Sequence, residues 1–100
     1  MLKVTFTESG QKLSLRLEGH AGYAEHGKDI VCASASILAY TLASIVESYD
    51  EVESFIDLTI GNATIECKCE NNEVLDAYRF TMTGYALLER NFPQYVRLEP

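Results

Sequence analysis

Two short runs near the start of the chain constrain its fold more tightly than anything else in it. Leu2, Val4 and Phe6 alternate with Lys3, Thr5 and Thr7, and Leu13, Leu15 and Leu17 alternate with Lys12, Ser14, Arg16 and Glu18. A period of two puts every aliphatic side chain on one face of an extended strand. Ser9-Gly10 between the runs is a turn signal, so together they predict a hairpin. Strands that are apolar on one side only call for a sheet that is covered on one face.

The covering layer is also legible. From about Ile30 to Ser48 the apolar positions Ala35, Leu38, Ala39, Leu42, Ile45 and Tyr49 recur at steps of three and four, the period of a helix. Asp29 is placed to cap that helix, which puts Cys32 at the third helical position. Tyr49-Asp50-Glu51 ends it. Phe55–Ile60 reads as a third strand with Ile56, Leu58 and Ile60 inward, and Gly61-Asn62 as a tight turn. Ala63, Ile65, Cys67 and Cys69 alternate with Thr64, Glu66 and Lys68 in a fourth strand, punctuated by Asn71-Asn72. A second helix is expected from about Glu73 to Asn91, with Val74, Tyr78, Met82, Tyr85 and Leu88 as its buried stripe and Gly84 as a weak point. Residues Phe92–Leu98 form a closing short strand, with Pro93 fixing the break. The order β-β-α-β-β-α-β predicts an α+β two-layer sandwich. It has a mainly antiparallel sheet of four to five strands and two helices on one face. One hundred residues, 47% hydrophobic and 23% charged, suit a single domain over 1–100.

Charge narrows the partners. Eight Lys and Arg scattered among fifteen Asp and Glu give a net charge of −7, which argues against nucleic acid and would suit a basic polypeptide. Three cysteines argue against a disulfide framework, and the first residues lack the apolar core of a signal peptide. No stretch approaches the roughly 18 apolar residues of a membrane span. The expected setting is the reducing cytoplasm, with no membrane and no cofactor. Cys67 and Cys69 share a strand face with Ile65, so both are expected in the core rather than in a disulfide.

The chemistry concentrates in residues 19–36. Gly19–Val31 shows neither period and holds Gly19, Gly22 and Gly27, half the glycines of the chain. A connection this long without structure of its own is usually functional. At one edge stands His20, just past the second strand. At the other stands Cys32, in the first turn of the helix, where unpaired backbone N–H groups and the helix dipole favour an anion. The same N–H groups suit the oxyanion formed when a peptide carbonyl is attacked. An imidazole brought back beside that thiol would take its proton and later return it to a leaving amine. Gly19 permits an unusual backbone at the loop's root. Asp29 either caps the helix through the Cys32 N–H or orients His20. Ser36, one turn after Cys32 on the same face, is a candidate to hydrogen-bond the thiolate, the substrate or its own helix backbone.

The residues Gly19-His20-Ala21, Gly27, Asp29-Ile30-Val31-Cys32-Ala33 and Ser36 resemble the signature of the ribosomal-processing cysteine protease Prp family. The likeness extends to chain length, element order and the closing Pro93-Gln94-Tyr95-Val96. It implies a Cys–His dyad of Cys32 and His20, with Gly19, Asp29 and Ser36 in support. It also implies a homodimer that removes a short N-terminal extension from a large-subunit ribosomal protein, cutting after an aromatic residue. A glycine-rich loop mobile until substrate binds is a further implication. One departure is Ala35, where relatives often have Val.

Two other readings compete. His20, His26 and Cys32 are all possible metal ligands, but their spacing matches no common zinc pattern, so no metal is expected. The other is a non-catalytic homodimeric interaction module, with Ile37 and Tyr40 off the buried stripe of the first helix as its surface.

Overall fold

The computed structural model describes residues 1–25 and 27–100. The inward aliphatics of the first hairpin are all buried or half-buried, on β1 (Leu2–Ser9) and β2 (Lys12–Glu18). Continuing along the chain are α1 (Ile30–Glu47), β3 (Glu53–Thr59), β4 (Asn62–Lys68), α2 (Asn72–Asn91) and β5 (Val96–Glu99). This is the predicted order. The strands form one sheet in the order β3-β4-β2-β1-β5, antiparallel except where β5 runs parallel to β1.

The register aligns the apolar positions into rows. Phe6, Leu15, Ile65 and Ile56 stand side by side across four strands, as do Val4, Leu17, Ala63 and Leu58. A slip of one residue anywhere would turn a strand's apolar set outward, so the rows and the register specify each other. Both helices lie over these rows. From α1 come Val31, Ala35, Ala39, Leu42, Ala43 and Val46, and from α2 come Val74, Tyr78, Thr81 and Tyr85. Met82 and Leu88, predicted for the α2 stripe, are half-buried at its margin.

Two tyrosines tie the layers together. Tyr78 stacks on Phe6 with ring centroids 5.7 Å apart and donates its hydroxyl to the Ile65 carbonyl at 2.9 Å. Tyr85 donates to the Ala35 carbonyl at 2.9 Å, joining α2 to the second turn of α1. Gly84 has a packing reason. A Cβ there would stand 2.7 Å from a methyl of Leu38, so the missing side chain is what lets α1 and α2 approach.

Three expectations need correction. Ile60 does not point inward; it lies past the end of β3 in the turn and is 74% exposed. The closing strand is limited to Val96–Glu99, because the preceding residues curl back through a Val96 N–H to Phe92 carbonyl bond. And α1 is, by length and composition, apolar enough to cross a membrane, with a mean hydropathy of 1.7 over Ile30–Glu47. Its apolar character is split here between the core stripe and an outer face carrying Ile37 and Tyr40.

Candidate functional site

The helix start is built around one carboxylate. Asp29 is the N-cap of α1, and its Oδ1 accepts the Cys32 N–H at 2.8 Å. Its Oδ2 accepts the N–H of Tyr23 at 2.9 Å and of Ala24 at 3.4 Å, which folds the preceding loop onto the helix. Burial alone would raise this carboxyl, but the backbone N–H groups of Cys32, Ala24, Tyr23 and Val31 outweigh it and hold it below the ordinary carboxylate range. Of the two roles open to Asp29, the geometry gives the cap: both oxygens are engaged by backbone, and neither bonds His20.

One of the donors expected for an oxyanion, the Cys32 N–H, is taken up by the Asp29 cap in this conformation.

The helix bears Cys32, and the loop just past the end of β2 bears His20. Cys32 is at the third position of α1, as expected, and half-buried. His20 follows the end of β2, the central strand of the five. Gly19 makes this exit possible. It holds φ at +88°, and a Cβ there would meet the Met1 carbonyl oxygen at 2.6 Å, so only glycine fits. Both side chains open onto the same two cavities. The first, about 230 Å³, lies between the sheet and α1 and is walled by apolar groups including Leu17, Leu58, Ala35 and Ala39. The second, about 630 Å³, lies on the loop side against Gly22, Gly27 and Asp29. Among the described residues no hydrogen bond joins Cys32 to His20; the imidazole rests against the turn at Gly61.

Ser36 borders both cavities with Cys32 and His20. Among the described residues its hydroxyl makes no hydrogen bond to the helix backbone, unlike Ser34, which donates to the Ile30 carbonyl at 2.7 Å. Ala35, the departure from the resemblance, lines the apolar cavity with a side chain smaller than Val. His26 lies outside the described residues, and with it the metal reading that would use it.

Cys67 is buried in the core as expected; Cys69 lies one residue past the end of β4 and is only half-buried against the core, and the two sulfurs, 4.0 Å apart, are not bonded. Burial pushes the Cys67 thiol up to about 11, so it stays protonated at neutral pH.

Sequence reasoning missed three contributors. Tyr23 holds the loop by edge-on contacts with Phe92 and Tyr95, at centroid distances of 5.5 and 5.2 Å. Ile60 and Gly61 bring the β3–β4 turn into the wall of the apolar cavity. No local pattern marks these, since they depend on which distant segments the sheet sets side by side.

The cap yields a prediction. Asp29→Ala is expected to cost about 1 kcal/mol of stability near neutral pH, the usual worth of an N-cap. Because the folded-state pKa is lowered, that contribution is complete above the ordinary value of 3.8 and is lost as pH falls through the lowered one. Urea titrations of wild type and variant near neutral pH and at about pH 3 test this. A gap that stays the same at both pH values would contradict it.

Residues 1–97 match the family model described as cysteine protease Prp, and the chain belongs to that family. Over 60 residues it is 33% identical to the ribosomal processing cysteine protease Prp of Bacillus subtilis strain 168, covering 58% of this chain and 54% of that relative. The match thus spans about half the length of the curated protein. The fold resembles Staphylococcus aureus Prp, an essential ribosomal processing protease, solved with a covalently linked product peptide (TM-score 0.88, 23% identity, covering 99% of this chain and 98% of that one). It also resembles the same protein solved with a substrate peptide (TM-score 0.80, 22% identity, 99% and 98%). At such identities these two likenesses speak to the fold alone. A Streptococcus mutans structure is similar at 29% identity (TM-score 0.71, covering 99% of this chain and 92% of that one).

Proposed function

We propose that this chain is a cysteine endopeptidase that removes the short N-terminal extension of a large-subunit ribosomal protein, with Cys32 as nucleophile and His20 as general base and acid. The observation that carries the reading is that Cys32, at the mouth of a core helix, and His20, at the end of the central strand, open onto shared cavities in a chain of the cysteine protease Prp family. The imidazole takes the thiol proton as sulfur attacks the scissile carbonyl carbon. The imidazolium then protonates the departing amine, leaving a thioester. Water, deprotonated by the same imidazole, attacks that thioester, releases the new C-terminal carboxylate and restores the thiol.

The net charge of −7 supports a basic ribosomal substrate by steering. The reading places the protein in the cytoplasm as a homodimer. Mixing it with the extended ribosomal precursor and reading the precursor's new N-terminus by mass spectrometry tests the activity. A precursor that keeps its original end would count against it.

The second reading, a non-catalytic homodimeric interaction module, draws on Ile37 and Tyr40, which are 61% and 47% exposed on the outer face of α1. It predicts that Cys32 is alkylated no faster than an unstructured cysteine and at the same rate in His20→Ala. The endopeptidase reading predicts a faster reaction that slows in that variant.

A further inference from the structure

We infer that Gly61 is a positioning residue for His20: by lacking a side chain, it leaves the imidazole a seat on the β3–β4 turn. This rests on the dyad proposed above and concerns how the dyad is held. A Cβ built at Gly61 would stand 2.9 Å from His20 Nε2 and 3.1 Å from its Cε1, closer than carbon and ring atoms settle. The same residue grips the root of His20, since the Gly61 carbonyl accepts the Gly19 N–H at 2.9 Å. Glu18 and Asn62 are paired directly beside this bond, so the turn is fixed to β2 where His20 leaves it. Ring and turn also share the wall of the apolar cavity.

A glycine in a hairpin turn has an ordinary explanation, and the other hairpin provides the comparison. Gly10 and Gly61 both have positive φ, +61° and +85°. Around Gly10 a Cβ would meet nothing within 4 Å, whereas at Gly61 its nearest neighbours are the atoms of His20. Backbone geometry therefore accounts for Gly10, but only part of Gly61. The imidazole is the exposed end of a flexible side chain, so a Cβ at Gly61 would displace the ring more readily than it would disturb the fold.

Four variants test the inference: Gly61→Ala, Gly61→Asn, Gly10→Ala and His20→Ala. Asn tolerates positive φ, so Gly61→Asn retains the contact with less backbone strain. The readouts are cleavage of the extended precursor, the pH profile of Cys32 alkylation by iodoacetamide read by peptide mass, and the melting temperature. Both Gly61 variants are expected to lose roughly ten- to a hundredfold in kcat with KM nearly unchanged. Their alkylation profiles should move toward that of His20→Ala, while Gly10→Ala cleaves and alkylates as wild type does. If the Gly61 variants lose no more than Gly10→Ala although His20→Ala is impaired, positioning by Gly61 is overturned and the dyad stands. If His20→Ala itself behaves as wild type, the dyad fails, and the inference with it.

Discussion

With Cys32 replaced by Ala, the extended ribosomal precursor is expected to stay at full length, because the proposed covalent route has lost its nucleophile. Cys32 is half-buried at the edge of a cavity, so the substitution should leave the fold intact, and an unchanged melting temperature would show this. His20→Ala is expected to slow cleavage by about 10²- to 10⁴-fold, the usual worth of a positioned acid–base group. Residues that work as a unit do not contribute additively. The double variant should therefore be no worse than Cys32→Ala alone. Single-turnover assays with the precursor provide the measurement. Cleavage that survives Cys32→Ala would end the assignment of the nucleophile, and a double variant much slower than Cys32→Ala would argue that His20 acts elsewhere.

The second large effect concerns stability. Tyr85 is fully buried, and its hydroxyl meets the Ala35 carbonyl at 2.9 Å. Tyr85→Ala removes a whole ring from between the helices and is expected to cost about 3–5 kcal/mol, the range for large aromatic truncations. Against a total of about 5–15 kcal/mol for a domain of this kind, that leaves little margin. Tyr85→Phe keeps the ring and loses only the hydrogen bond, so about 1 kcal/mol is expected. Urea unfolding of the three proteins separates the two contributions. Equal losses from Phe and Ala would mean that the hydroxyl, not the packing, dominates. Since the accepting carbonyl belongs to the residue before Ser36, the milder variant also tests whether loosening that turn affects activity.

The fold was legible because its signals are local. The alternation of Leu13, Leu15 and Leu17 and the three-four spacing along Ala35, Ala39 and Leu42 each declare an element and its buried face. Asp29 announces its helix for the same reason: a cap bonds an N–H group three residues away. Strand pairing is different. Nothing within residues 53–68 says that β4 pairs with β2 and thereby brings Gly61 under His20. Ile60 was misread because alternation continues to the last apolar residue, while the strand stops one residue earlier, where the turn needs Gly61 at positive φ. For the site, residue types and spacing were enough to single out Cys32, His20 and Asp29 as candidates. The choice between Asp29's two roles needed the positions of both carboxylate oxygens.

The proposed dyad straddles two layers, with the sulfur carried by the helix and the imidazole by the loop that leaves the sheet at the end of β2. The separation of the reacting atoms is therefore gauged by whatever lies between those layers. Beneath this end of α1 the shims are Ala35 and Ala39, facing Leu17, Leu58 and Ala63 across the apolar cavity. A bulkier side chain at Ala39 would act like a thicker washer in a clamp, prising the thiol from its partner without touching either one. Selection on that methyl group would then answer to catalysis as much as to folding.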